Sequence, residues 1–161
     1  MLIKISQLSR RMIIFRTVLL ILIGMNIAFI FSQSALPPQV VEDEVEMVKE
    51  VIGDILPSES EVAEFTESNT DKIAHFVEFG VLGALVSTFV LLYTIKPVIF
   101  APLSVIFAGI VAIIDETIQI FSGRCPDIAD FCLDVLGFFC ISTIIYTAFF
   151  TVRYFKRKKE L

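Results

Sequence analysis

Apolar residues gather into four long blocks, at about 13–32, 73–95, 97–121 and 128–152, with polar residues between them. A helix rises about 1.5 Å per residue and the hydrocarbon layer is about 30 Å thick, so each block is long enough to cross a bilayer. The pattern predicts four transmembrane helices. The stretch 33–72 has a different rhythm: Val41, Val45, Val48, Ile52 and Ile55 recur at spacings of four, three, four and three. That spacing marks one apolar face of an amphipathic helix. Pro37 and Pro38 precede this helix and Pro57 follows it, while Ser58 and Glu61 have the spacing of a capping box that opens a second short helix with Val62 and Phe65.

Composition agrees with the pattern. With 56% hydrophobic residues, a mean hydropathy of +0.82 and no tryptophan, the chain is too apolar for an ordinary soluble domain. It reads as one small membrane domain over 1–161. The formal net charge of -5 hides a segregation of signs. Lys4, Arg10, Arg11 and Arg16 precede or open the first block, Lys96 joins the second to the third, and Arg153, Lys156, Arg157, Lys158 and Lys159 follow the fourth. The positive-inside rule then puts both termini in the cytoplasm and 33–72 and 122–127 outside. The outer stretch 33–72 carries eleven acidic residues against Lys49 and Lys72. The expected fold is an all-α integral membrane protein, a four-transmembrane-helix bundle with both termini cytoplasmic and an acidic extracytoplasmic helical segment between helices 1 and 2. An acidic face is repelled by anionic headgroups, so this segment reads as a lid over the bundle, or as a solvated acidic connector, rather than as a basic lipid anchor. The basic start and the small residues at Ser34-Ala35 also suit a cleaved signal peptide, and Arg10-Arg11 after Ser9 resembles a twin-arginine signal. A retained first helix is the better reading, because what would remain after cleavage is itself membrane-bound.

The candidate chemistry lies inside the apolar blocks, where ionisable groups are costly and mark functional sites by default. His75 and Glu78 would sit roughly 5 to 9 Å below the outer surface, Asp115, Glu116 and Gln119 roughly 5 to 10 Å, and Asp127, Asp130 and Asp134 roughly 2 to 12 Å, with Pro126 opening the fourth helix. All three clusters are expected at one level. Spacings of three or four put His75 with Glu78, Asp115 with Gln119, and Asp127 with Asp130 and Asp134 on shared helix faces. Glu116 points about 100° away from Asp115, towards a neighbouring helix. Arg124, in the turn between two acidic clusters, is their expected counter-charge. One arginine and one histidine cannot neutralise six carboxyls in a low-dielectric site. Shared protons, a cationic ligand or a hard divalent cation must supply the rest. A histidine beside carboxylates also suits a zinc-like or manganese-like ion, and the metal set drawn from these residues is His75, Glu78, Asp115 and Asp130.

Structural roles are open to the same residues. His75 and Glu78 can hydrogen-bond across helices while Lys72 snorkels to the interface. Asp127 can serve the positive end of a helix dipole, and Asp115 with Arg124 can form a buried ion pair. Gly80 and Gly83 suit close helix packing, and Cys125, Cys132 and Cys140 suit free thiols.

The string Asp71-Lys72-Ile73-Ala74-His75-Phe76-Val77-Glu78-Phe79-Gly80-Val81-Leu82-Gly83 resembles the K-x-x-H-F-x-x-[YF]-x-x-[LI]-G pattern of VanZ-like proteins. Asp115 to Phe121 with Gly123-Arg124 resembles that family's D-E-x-x-Q-x-F and G-R elements. Asp130, Asp134 and Gly137 resemble its closing D-x-x-x-[ND]-x-x-G, and Phe31-Ser32-Gln33 a short motif at the end of its first helix. Asp134 stands where the family often has asparagine, Phe79 where it often has tyrosine, and the connector 33–72 lies outside the pattern. The resemblance implies a small multi-helix bacterial plasma-membrane protein, named for a member linked to low-level teicoplanin resistance, with no settled reaction.

Three functions are open. The leading one is a contribution to glycopeptide resistance or envelope homeostasis through an outer-leaflet polar pocket that binds an amphiphile, either a lipid-linked cell-wall precursor or the lipoglycopeptide itself. Lys72 and Arg124 would meet an anionic headgroup, and Gln119, Ser32 and Gln33 would hydrogen-bond it, with Asp127, Asp130 and Asp134 around the site. The alternative is a membrane-embedded enzyme acting on a lipid or cell-wall headgroup, with His75, Glu78, Asp115 and Glu116 catalytic and a divalent metal as the cofactor it could use. No nucleophile elbow, P-loop or zinc-protease signature supports a particular reaction. The third is an ion pathway, which stalls because the cytoplasmic half offers only Asn26 and scattered serines and threonines. The lipid bilayer is the one general partner expected. Nucleic acid is not, since topology and anionic lipid explain the basic tail.

Overall fold

The computed structural model describes residues 2–55, 65–66, 69–93, 97–125 and 127–159, and every regular element among them is helical. The order is α1 (Leu2–Ser34), α2 (Pro38–Ile55), α3 (Thr70–Leu91), α4 (Pro97–Phe121) and α5 (Ile128–Lys159). Four of these hold stretches long and apolar enough to cross a membrane: Arg10–Ser34, Thr70–Leu91, Pro102–Phe121 and Ile128–Lys159. The chain is therefore a multi-pass membrane protein.

The helix ends differ from those expected. Helix α1 starts before residue 13 and α5 continues past 152, because lysine and arginine are good helix formers that keep a helix going beyond its apolar part. Helix α3 starts at Thr70 rather than 73, with Asp71 in its first turn where the helix dipole favours an anion. It ends at Leu91 rather than 95, and Leu92 and Tyr93 close a tighter turn on the carbonyls of Phe89 and Val90. Pro57, Ser58, Glu61 and Val62 of the expected second short helix lie outside the described residues, as does Pro126.

Each spanning helix buries one stripe. On α3 it is Phe79, Leu82, Val86 and Val90; on α4, Ala108, Val111 and Ala112; on α1, Leu19 and Ile30 with Ile23 and Ile27 half-buried; on α5, Phe138. Spacings of three and four put each set on one face. The outer faces are apolar too, with Leu20, Met25, Ile106, Ile110, Ile113 and Ile144 exposed, as a lipid-facing surface requires.

The closest packing joins α3 to α5. Glycine makes this crossing possible. A Cβ added at Gly83 would lie 2.5 Å from the Phe138 carbonyl oxygen, and one at Gly137 would collide with the carbonyl of Phe76. Small residues allow such backbone contact between membrane helices, which have no hydrophobic effect to draw them together. Helix α1 packs on α3 and α4, and α4 on α5. Near the middle of α1, the Arg16 guanidinium donates to the Leu92 carbonyl at 2.8 Å and lies 4.1 Å from the Tyr93 ring centroid. This contact sets the middle of α1 beside the end of α3.

Helix α2 leans on α3. Its half-buried Val41 and Val45 face inwards, while Glu42, Asp43, Glu46 and Glu50 are exposed. The expected apolar face is thus present over its first turns; the side chains of Ile52 and Ile55 lie outside the described residues.

Candidate functional site

At one end of the bundle the buried stripes turn polar. Ser34 follows Ile30 on α1, His75 precedes Phe79 on α3, Asp115 and Gln119 follow Ala112 on α4, and Asp134 precedes Phe138 on α5. Each substitution lies three or four residues from its apolar neighbour, so the helices that build the core carry these groups to a common point.

Asp115 and Asp134 are fully buried, at 0% exposure. His75 joins them: its Nδ1 lies 3.1 Å from Asp134 Oδ1 and 4.0 Å from Asp115 Oδ2. Asp115 is held from two other directions. Ser34 Oγ donates to its Oδ1, and Gln119 Nε2 donates to its Oδ2 at 3.1 Å. Ser122 Oγ lies 2.9 Å from both the Ser34 and Gln119 carbonyls, which ties the end of α1 to the end of α4. Among the described residues Asp134 Oδ2, although buried, has no hydrogen-bond partner, and the same holds for Glu116 Oε1 and Asp130 Oδ1.

The turn from α4 into α5 is fixed by the backbone. Gly123 takes a positive φ of 83°, its N–H donates to the Ile120 carbonyl and the Arg124 N–H donates to that of Gln119. This is a Schellman ending, which needs a residue without a Cβ penalty at that position. Asp127 then caps α5, its Oδ1 accepting from Ala129 N at 2.8 Å. Glu116, on the other side of α4 from Asp115, accepts from Asp127 N at 3.2 Å and so ties the turn shut.

Beside this end a cavity of about 360 Å³ opens between α2 and α3. Val41, Val45, Val48, Ile73 and Val77 form apolar walls, and Gln33, Ser34, His75, Glu78 and Arg124 its polar side, with Glu44 and Asp71 also lining it. His75 and Ser34 belong both to the cavity wall and to the buried cluster. The residues singled out from sequence divide accordingly. Gln33, His75, Glu78 and Arg124 line the cavity; Asp115, Gln119 and Asp134 lie in the cluster behind it; Asp127 and Glu116 hold the turn. Lys72 and Asp130 are half-buried and line no part of the cavity. Ser32 is exposed and bonds the Phe29 carbonyl of its own helix.

One expected pairing is not formed. Asp115 does not pair with Arg124: among the described residues its partners are Ser34, Gln119 and His75, because the Schellman turn carries Arg124 outwards to the cavity. Among the described residues His75, Asp115 and Asp134 each offer one donor atom within 4.8 Å of the others, a group that shares His75 and Asp115 with the set drawn from sequence. Asp130 is one turn nearer the start of α5 than Asp134, and Glu78 faces the cavity. Sequence reasoning also missed Ser34 in favour of Ser32 and Gln33. The signal was present, since Ser34 continues the Ile23, Ile27 and Ile30 stripe at a spacing of four.

The VanZ/LLP1 family model matches residues 12–151, which takes in most of all four spanning stretches and the whole cluster. The chain belongs to the VanZ-like family. No curated protein and no solved structure matches it. Family membership suggests a membrane protein related to glycopeptide resistance.

Proposed function

We propose that this VanZ-like protein binds an amphiphile in the cavity between α2 and α3 and thereby contributes to glycopeptide resistance or envelope homeostasis. The observation that carries this reading is the make-up of the cavity, whose lining combines Val41, Val45, Val48, Ile73 and Val77 with Gln33, Ser34, His75, Glu78 and Arg124. A space of about 360 Å³ suits a headgroup and the first part of a chain, and sites for such ligands are mostly apolar with a few convergent polar groups. Arg124 would meet a phosphate or carboxylate of a lipid-linked cell-wall precursor or of a lipoglycopeptide, and Gln33 and Ser34 would hydrogen-bond it. In this reading the termini are cytoplasmic, following the basic residues at both ends, and α2 covers a cavity that opens at the outer leaflet of a bacterial plasma membrane. The acidic outer face of α2 keeps it from sinking among anionic headgroups.

A photoreactive teicoplanin and a diazirine-bearing lipid-linked peptidoglycan precursor, each added to the full chain in nanodiscs, test the proposal. Labelling should map to α2 and the first half of α3 and fall at least about tenfold in Val45→Trp, which fills the cavity while leaving the buried cluster intact. Labelling spread evenly over lipid-facing positions such as Ile106, Ile110 and Ile113, and unchanged in Val45→Trp, would refute it. A second reading, acid and base chemistry on a bound headgroup, is favoured by one feature: the His75 and Asp134 pair is buried yet opens on the cavity through His75.

A further inference from the structure

We infer that His75, Asp115 and Asp134 together hold one divalent cation of the zinc or manganese kind, with its open coordination positions facing the cavity.

The donor geometry is the first support. Ligands about 2.1 Å from a metal are roughly 3.0 to 3.4 Å apart in octahedral or tetrahedral arrangements. His75 Nδ1 is already 3.1 Å from Asp134 Oδ1 and 4.0 Å from Asp115 Oδ2, and all three donors lie within 4.8 Å of one another, so a movement of the Asp115 carboxylate by roughly 0.6 to 1 Å brings the set to metal-binding distances. The second support is independent of the cluster's shape. Asp134 is at 0% exposure, and among the described residues its Oδ2 has no hydrogen-bond partner. A fully buried, unpartnered carboxylate oxygen is expensive unless a positive ligand meets it.

Charge balance is compatible with this site. Two ionised aspartates contribute -2, and among the described residues the one side chain in contact with both that can carry positive charge is His75. A divalent ion with a neutral imidazole brings the group to zero, as does a charged imidazole with one protonated carboxyl, and the metal titration below separates the two. The donors are one nitrogen and two carboxylate oxygens with no sulfur. This set suits zinc or manganese better than a copper(I) site, and it has too few oxygens for calcium. Ser34 and Gln119, both bonded to Asp115, would act as the outer partners that orient a metal-binding carboxylate. Three protein ligands leave at least one position open. His75 and Ser34 line the cavity, so that position faces it.

The chain contains a single histidine, which makes a decisive test possible. The full chain, carrying an affinity tag without histidine, is purified in detergent, stripped with a chelator and titrated with Zn²⁺ and with Mn²⁺. Binding of one ion per chain is expected. The Mn²⁺ form should show, by electron spin-echo modulation, one directly coordinated imidazole nitrogen, which can only be His75. Asp115→Asn, Asp134→Asn and His75→Gln should each weaken binding by about 100-fold or more, while Asp127→Asn and Asp130→Asn stay within about threefold. Circular dichroism and gel filtration establish that each variant is folded, and the nitrogen signal is read on the unsubstituted chain, so a misfolded variant does not block the test. Failure of both ions to bind stoichiometrically, Mn²⁺ binding without a nitrogen coupling, or equal loss in Asp130→Asn would overturn the inference. Metal binding is measured without any amphiphile. Failure of the photolabelling test would leave this result standing, and failure here would leave amphiphile binding standing.

Discussion

Replacing Gly83 by alanine adds one methyl group at one of the two close backbone contacts between α3 and α5, and the structure sets the size of the effect. The new Cβ would lie 2.5 Å from the Phe138 carbonyl oxygen, 3.0 Å from its Cα and 3.1 Å from its carbonyl carbon. Comfortable separations begin near 3.4 Å, so the helices must part by about 1 Å, and because the obstacle is backbone no rotamer change can relieve it. Overpacking of this kind costs about 1–3 kcal/mol, against which alanine returns up to about 1 kcal/mol of helix propensity. A net loss of about 1–2 kcal/mol is expected. The same displacement acts on the site, because Asp134 lies one turn of α5 from Gly137, whose own contact is Phe76, the neighbour of His75. Parting the helices by about 1 Å would take the 3.1 Å contact between His75 and Asp134 beyond hydrogen-bond range. Stability can be measured by steric trapping or by unfolding in mixed micelles, and the site by the ¹⁵N shift of the single imidazole. Gly24→Ala and Gly109→Ala are the controls, since a Cβ at either meets nothing within 4 Å. If Gly83→Ala behaves like Gly109→Ala in both measurements, the close crossing is not what holds α3 to α5 and the reasoning fails.

Two further outcomes follow from the geometry. Ser34→Ala removes a donor to a fully buried carboxylate and should cost about 1–3 kcal/mol, whereas Ser32→Ala, which loses a bond only to its own helix, should stay within about 0.5 kcal/mol in the same unfolding assay. Asp127→Ala should lower stability by about 1 kcal/mol through loss of the α5 cap, Asp127→Asn should restore it, and neither should reduce photolabelling of the cavity; a loss of labelling in the asparagine variant would instead make Asp127 a ligand-contacting group.

Much of the fold was legible because a membrane helix announces itself by length. Four apolar blocks became four spanning stretches, and the α2 face was readable from Val41 and Val45. The ends were less legible, because hydropathy marks where apolar residues stop and α5 stays helical through Arg153 and Lys159. Convergence of the polar clusters could be reasoned from depth alone, but depth does not say which side chain faces which. That choice turned on helix rotation. Asp134 lies inside and Asp130 only halfway in, because Asp134 shares a face with Phe138, and the α3–α5 crossing at Gly83 and Gly137 turns that face inwards. Arg124 looked like a partner for Asp115 from its position in the chain. The positive φ of Gly123 sends it elsewhere, a backbone effect that charge counting could not anticipate.

The polar end is best understood through what each core stripe would contain if packing were the whole purpose. Leucine at 115 and 134 would continue the faces that hold Ala112 and Phe138, and buried ionic groups are often replaced by apolar ones without loss of stability. Instead each stripe ends in a group that needs a partner, and the described residues supply the partners only in part. Asp115 is satisfied by Ser34 and Gln119, whereas Asp134 keeps one oxygen without a partner among them. The asymmetry is informative. Glu116 at the nearby turn is in the same half-filled state, since one oxygen accepts from Asp127 N while its buried Oε1 has no partner among the described residues. A cluster left one positive ligand short, held at a backbone crossing that admits no side chain and joined to a cavity through His75, is arranged to receive something from outside the chain.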